Sequence, residues 1–173
     1  VGKVQNLENV LRGFGLFVKD CPNACLNIIG DGSFLTELMD IAKNECILNV
    51  NFTGRKPLSE MSDYYEAGDA LIISLKDVPL YETMMPSKFQ AYLATGKPIY
   101  AIFNGEVRNI VEKYQIGFGA SPTDLCDIAA GFNHFVKLTD EEKKAIANNA
   151  ACLCETVFNR KMIIKLINGV VWK

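Results

Sequence analysis

The segment from Leu80 to Lys88 has the residue types of an anion-binding helix start. Pro86 suits the first turn of a helix, and Ser87 and Lys88 follow it directly. The N-terminus of a helix has free backbone N–H groups, and the helix dipole favours negative charge there. The Ser87 hydroxyl and the Lys88 ammonium group would strengthen that preference, so we predict a diphosphate site. An ordinary helix start with both side chains in solvent is the alternative that this segment leaves open.

A second cationic segment, Thr53-Gly54-Arg55-Lys56-Pro57, follows an apolar run and precedes a helical pattern. Gly54 would let a ligand approach the backbone closely, and the Arg55 guanidinium could stack on a nucleotide base. Lys56 adds a second positive charge at the same place. A plain strand-to-helix connection with surface charges is the alternative here.

Two glycine-containing turns are weaker indicators of a site. Gly30-Asp31-Gly32 is typical of many strand-to-helix connections, and Asn104-Gly105-Glu106 is by default a turn or a helix cap. Asn104 could also approach a ligand, so we include it among the predicted binding residues.

Short continuous apolar runs alternate with stretches of helical periodicity along the chain. The runs predict strands at about 26–30, 47–52, 70–75, 98–103 and 117–120. Because the runs are continuous rather than alternating with polar residues, they predict a parallel sheet covered by helices on both faces. The expected fold is one α/β domain over residues 1–173, with a doubly wound, Rossmann-like sheet. In such folds ligands bind beyond the carboxyl ends of the strands, where the segments above would meet.

The sequence also predicts where individual elements begin and end. Asn6 and Ser33 are expected to cap the first two helices, and a third helix is expected from about Pro57 to Ala67. The stretch Lys76–Thr83 is expected to be a loop. Two or three closing helices are expected from about Pro122 to the C-terminus.

Composition argues against several function classes. With 18 basic and 20 acidic residues the net charge is −2, which does not favour a nucleic acid partner. No apolar run approaches the roughly 20 residues that span a bilayer. The cysteines lack zinc-site spacing, and His134 is a lone histidine in a helical stretch. We therefore predict free thiols, a structural histidine, no metal site and no cofactor.

Four stretches of the chain match a family pattern in their order and spacing. They are Ile28–Gly32, Val50–Arg55, Tyr64–Ile73 and Pro86–Ala101. Together they resemble the C-terminal domain of GT-B glycosyltransferases of family 4, and they cover nearly the whole chain. The Pro-Ser-Lys-x-Gln-x-Tyr-Leu pattern that begins at Pro86 is similar to that of the bacterial branch that adds amino sugars to surface polysaccharides.

The resemblance implies that this domain binds a nucleotide-diphosphate sugar, with UDP as the expected nucleotide. By that similarity Gly54, Arg55 and Lys56 would hold the base, and Ser87 and Lys88 would hold the diphosphate. The family transfers sugar with retention of anomeric configuration and usually without a metal. Its acceptor binds an N-terminal domain, which would lie outside this chain.

The chain departs from the family at the usual Glu-x7-Glu pair, whose positions are occupied here by Thr83 and Ala91. Shifted by one residue, Glu82 and Gln90 keep that spacing, and Gln90 shares a helix face with Ser87. The catalytic residues are therefore left unassigned. The predicted donor-binding residues are Gly54, Arg55, Lys56, Glu82, Thr83, Pro86, Ser87, Lys88, Gln90 and Asn104.

The function implied by the resemblance is the donor-binding half of a retaining glycosyltransferase in polysaccharide or glycolipid synthesis, inactive without its N-terminal domain. One alternative is a regulatory domain that binds sugar nucleotides without transfer, because the carboxylate pair is missing. Another is a fragment of a GT-B sugar-nucleotide epimerase, although the single His134 counts against it. The expected location is cytoplasmic, with any contact to the inner face of the membrane made through the full-length enzyme.

Overall fold

The computed structural model describes residues 1–158, in which strands and helices alternate. The strands are β1 (Leu26–Ile29), β2 (Val50–Gly54), β3 (Leu71–Ser74), β4 (Ile99–Ile102) and β5 (Gly117–Ala120). The helices are α1 (Leu7–Phe17), α2 (Leu35–Asn44), α3 (Met61–Ala67), α4 (Pro79–Glu82), α5 (Ser87–Thr95), α6 (Glu106–Lys113), α7 (Leu125–Val136) and α8 (Asp140–Thr156). The part of the closing helices predicted beyond residue 158 lies outside the described residues.

All strand pairings within residues 1–158 are parallel, and the strands form two sheets. β1 pairs with β2, while β4 lies between β3 and β5. Parallel pairs need crossover connections: α2 connects β1 to β2, α4 and α5 connect β3 to β4, and α6 connects β4 to β5. The pairing and the alternation confirm the predicted doubly wound α/β fold.

The central strand β4 is buried on both faces, as its continuous apolar sequence predicts. On one face α1 and α7 pack together, and the rings of Phe14 and Phe132 meet edge to face at 5.4 Å. Tyr100 of β4 reaches into this contact, where its hydroxyl donates to the carbonyl oxygen of Ile128 at 2.7 Å. A second cluster joins β3 and β4 to α5, α6 and α8, and includes Phe89, Ile99 and Leu153.

The β1–β2 sheet departs from the prediction of burial on both faces. Leu26 and Ile28 are buried, whereas Asn27 and Asn51 are exposed. The amide nitrogen of Asn51 donates to the Asn27 side-chain oxygen at 3.1 Å. The apolar face of this sheet packs into the cluster formed with α1 and α2, and its other face carries these paired polar side chains.

The first five residues connect the two sheets at their carboxyl ends. The carbonyl oxygen of Val1 accepts from the N–H of Phe34, just after β1, at 3.4 Å. The carbonyl oxygen of Val4 accepts from the N–H of Lys76, just after β3, at 2.9 Å. The backbone at the start of the chain therefore lies between the exits of β1 and β3.

The predicted strand 47–52 is wrong at its start, because β2 begins only at Val50. Cys46 and Asn49 have φ angles of 51° and 59°, so the backbone turns twice in this region. Left-handed residues of this kind do not fit a continuous strand. The strand instead extends to Gly54, two residues further than predicted.

Asn6 is the N-cap residue of α1 as predicted, although it makes no side-chain cap, whereas the predicted cap at Ser33 is wrong. Asn6 precedes α1 but caps nothing with its side chain, because its amide donates to the carbonyl oxygen of Pro122 at 2.8 Å. α2 begins after Phe34, and no side chain caps it. The partner of the Asn6 side chain, Pro122, is one that the local sequence does not reveal.

Two further boundaries differ from the predictions. The expected loop Lys76–Thr83 contains the short helix α4, which Pro79 starts from a first-turn position. The expected helix from Pro57 begins as a single 3-10 turn, Leu58–Glu60, before α3 starts. None of the helices in residues 1–158 has the length and hydropathy of a membrane-spanning segment.

Candidate functional site

The N-terminus of α5 is an open helix end. Pro86 is the capping residue, with φ −60° and ψ 136°, and no side chain caps the helix. The N–H of Phe89 already donates to the carbonyl oxygen of Pro86 at 2.9 Å, which leaves the N–H groups of Ser87 and Lys88 available to a ligand. Phe89, in the first turn of the helix, is fully buried and packs α5 against the sheet. An anion placed here would meet a rigid helix end.

Lys88 lies in the first turn of α5 and is exposed, and it makes no ion pair with any residue in 1–158. Even so, the surrounding protein removes enough water to lower the pKa of its ammonium group by desolvation. Within residues 1–158 no carboxylate offsets the positive charge of this partly desolvated ammonium group. Ser87 precedes it with an exposed side chain, so a hydroxyl and an ammonium group flank the open helix end.

The Gly54 segment follows β2 at the same edge of the structure. Gly54 has φ 66°, and no atom lies within 4 Å of the position that a Cβ would occupy. Glycine is therefore favoured by the backbone conformation, and the space beside it is open. Arg55 is exposed, and the Lys56 ammonium group lies 5.8 Å from the centroid of the Tyr64 ring.

An aromatic contact connects the helices that follow the two cationic segments. Tyr65 of α3 and Tyr92 of α5 meet edge to face, with ring centroids 5.2 Å apart. Burial, with a smaller effect of Tyr65, raises the pKa of Tyr92 to about 12, so its phenol stays neutral at physiological pH. The contact fixes α3 relative to α5, and thereby the Gly54 segment relative to the start of α5.

Asn104, at the turn between β4 and α6, has both ends of its side-chain amide engaged. Its nitrogen donates to the Asp77 carboxylate at 2.9 Å, and its oxygen accepts from Arg108 Nη1 at 3.3 Å. Arg108 Nε also donates to the Glu112 carboxylate at 2.9 Å. We call Asp77, Asn104 and Arg108 the Asn104 cluster. Sequence reasoning did not identify Asp77 or Arg108, although Arg108 lies at helical i,i+4 spacing from Asn104.

The remaining predicted residues lie on exposed positions around the same region. Glu82 and Thr83 end α4 and line a concavity with Gly105 and Glu106 at the start of α6. Gln90 is exposed one turn after Ser87 on α5. The structure thus brings Glu82 and Thr83 to the β4–α6 turn.

The comparison that decides the family is a match to the model for glycosyl transferases group 1, which covers residues 1–151. The chain belongs to this family. The probable glycosyltransferase WbjE of Pseudomonas aeruginosa is 28% identical over 131 residues, which is 75% of this chain. The match spans only 32% of WbjE, so this group 1 domain is much shorter than its curated relative.

Solved structures show which part of a group 1 glycosyl transferase this fold corresponds to. The C-terminal domain of LpcC from Francisella tularensis aligns with a TM-score of 0.72 at 15% identity, over 92% of this chain and 83% of that one. HepE from Anabaena, solved with UDP-glucose, aligns with a TM-score of 0.79 at 19% identity, over 99% of this chain and 46% of HepE. The fold is that of a GT-B C-terminal domain, as the resemblance implied.

Proposed function

We propose that this chain is the donor-binding domain of a glycosyltransferase and that its donor is a UDP-sugar. The observation that carries the proposal is Lys88, an exposed cation with no ion-pair partner in residues 1–158, at an uncapped helix start. A diphosphate would satisfy both the ammonium group of Lys88 and the N–H groups of Ser87 and Lys88. The complex of HepE with UDP-glucose supports uridine as the nucleoside.

The rest of the donor would extend from this helix end in two directions. Arg55 is exposed beside the open space at Gly54, where a base could stack on its guanidinium group. Gln90, exposed on the next turn of α5, would face the ribose. Glu82 and Thr83 would flank the sugar from the end of α4. Each of these contacts uses a side chain that solvent already reaches.

Transfer itself requires an acceptor, which we propose binds an N-terminal domain of the same polypeptide. Holding donor and acceptor in the correct relative orientation can lower the activation barrier of transfer by about 7–11 kcal/mol, and this domain alone would not provide that orientation. Met84 and Met85 are exposed beside the donor-binding helix end, at 44% and 41%, and would be covered when two domains close. We further propose retention of configuration, a role in polysaccharide or glycolipid synthesis, and a cytoplasmic site of action.

A regulatory domain without transfer activity is a second candidate, favoured by one observation. The positions of the family's usual carboxylate pair carry Thr83 and Ala91, and both are exposed, so neither supplies a charge at the site. Assay of the full-length protein with a UDP-sugar separates the two candidates. Binding of the donor without transfer of its sugar to any acceptor, and without the accompanying release of UDP, would favour the regulatory role.

Calorimetric titration of this chain with UDP, GDP and ADP, in the presence of EDTA, tests the donor site directly. We expect UDP to bind with a Kd of order 0.1–1 mM, about 4–5.5 kcal/mol, as suits one half of a cleft. EDTA should not change this affinity, because the proposed contacts are all protein groups. The absence of binding heat for all three nucleotides at several millimolar would contradict the proposal, and equal affinities would contradict the choice of uridine.

A further inference from the structure

The segment between β3 and α5 is held to the turn after β4 by a side-chain bond near its beginning. Asp77, three residues after the end of β3, accepts a 2.9 Å hydrogen bond from the Asn104 amide nitrogen. Arg108 donates to the opposite end of that amide and so fixes its orientation. The Asn104 amide keeps one N–H and one oxygen lone pair, but its orientation is set by these two protein partners.

The same segment meets the same turn again five residues later, through backbone alone. Gly105 has φ 132°, and a Cβ at this position would lie 2.3 Å from the carbonyl oxygen of Glu82. Only a glycine allows the end of α4 to approach the turn so closely. Two independent contacts, one polar and one steric, therefore fix the path of the chain from Asp77 to Glu82.

We propose that Asp77, Asn104, Gly105 and Arg108 are positioning residues for donor binding. They hold α4 against the β4–α6 turn, and thereby place Glu82 and Thr83 beside the open end of α5. Asn104 then acts through the β3–α5 segment rather than by touching the donor. This inference rests on the proposed function, because the site that is positioned is the proposed donor site.

A positioning role and simple electrostatics predict opposite effects of removing Asp77. The Asp77 carboxylate is a negative charge near a site proposed for a diphosphate, so its loss by itself should strengthen donor binding. If the carboxylate instead holds the segment in place, its loss should weaken binding. Asp77→Asn removes the charge and keeps an oxygen that can accept from Asn104, so the two effects can be separated.

The experiment compares this chain with its Asp77→Ala, Asp77→Asn and Asp69→Ala variants. Asp69 is a matched control, since it is an exposed carboxylate at the opposite end of β3. We expect Asp77→Ala to weaken UDP binding about three- to tenfold, less than the loss of a direct hydrogen bond to the donor, because the Asn104–Asp77 bond is exposed to solvent and acts on the donor only through the segment. Asp77→Asn should bind UDP at least as tightly as the parent, and Asp69→Ala should match the parent.

Hydrogen exchange of the amides in residues 77–83 supplies a readout that does not depend on UDP. Exchange there should be faster in Asp77→Ala than in the parent and should return to the parent rate in Asp77→Asn. Parent-like exchange with unchanged or tighter UDP binding in Asp77→Ala would overturn the positioning role. If the parent binds no UDP, the donor-site proposal fails by itself, and exchange still decides whether the segment is held. Gly105→Ala provides a second variant, expected to accelerate the same exchange through displacement of Glu82.

Discussion

Replacing Lys88 by alanine should have opposite effects on donor binding and on stability. The side chain has no carboxylate partner in residues 1–158, and desolvation already lowers its pKa in the free protein. Removing the ammonium group therefore relieves a small cost in the unliganded fold. The same change removes the cation that we propose to pair with the diphosphate.

The size of the binding loss follows from the kind of contact that disappears. A hydrogen bond to a charged group contributes about 1.5–3 kcal/mol, which corresponds to a loss of roughly 10- to 150-fold in affinity. Exposed surface substitutions usually change stability by less than about 0.5 kcal/mol, so the Tm should stay within about 2 °C or rise. Alanine is also a good helix former in the first turn of α5.

Calorimetry with UDP and a thermal melt of the same samples measure the two effects together. Lys97→Ala is a suitable control, because it removes a cation just beyond the opposite end of the same helix. We expect it to leave UDP affinity unchanged. A Lys88→Ala variant that binds UDP like the parent would refute the assignment, and one that also melts several degrees lower would show that Lys88 is structural.

Three further predictions concern pH, stability and activity. The pKa of Lys88 lies below its ordinary value of 10.5, so UDP affinity should begin to fall at a lower pH than it would with an ordinary lysine. Arginine keeps its charge, so calorimetry of Lys88→Arg should show a smaller fall in affinity over the same pH range. Thr139→Ala removes the N-terminal cap of α8, in which Thr139 Oγ1 accepts from the Glu142 N–H at 3.2 Å. Urea unfolding should show a free energy of unfolding lower by about 1 kcal/mol, and an unchanged midpoint would contradict this expectation. This chain alone should neither transfer sugar nor release UDP from UDP-glucose, and steady UDP release that Lys88→Ala abolishes would contradict the need for an acceptor domain.

The fold could be predicted from the sequence because its main evidence is local. Four-residue apolar strands such as Ile99–Ile102 are continuous in the chain and separated by helical periodicity, so the parallel arrangement follows from the pattern. The boundaries of strands and the helix caps were harder to predict from the sequence. The start of β2 depends on left-handed backbone at Cys46 and Asn49. The side-chain amide of Asn6 donates to the carbonyl oxygen of Pro122, which lies more than a hundred residues away in the sequence.

The candidate site could be predicted only in part from the sequence, for the same reason. The helix start at Ser87 could be predicted, because a helix start gives its first residues a common chemical environment wherever it occurs. Asn104 could be placed at the correct edge, but its partner Asp77 lies 27 residues earlier and follows a different strand. Sequence spacing cannot show whether an amide in such a turn is free or already engaged.

The division of the strands into two sheets has a mechanical consequence for a ligand that contacts both. The Gly54 segment extends from the β1–β2 sheet, while the start of α5 follows β3 of the other sheet, and no strand pairing within residues 1–158 connects the two. A nucleotide held at both places would therefore span two sheets whose relative position is set by side-chain packing and by the backbone of the first five residues. Its affinity would then depend on their spacing, so that a substitution in the distant contact between α1 and α7 could weaken binding by misaligning two intact half-sites.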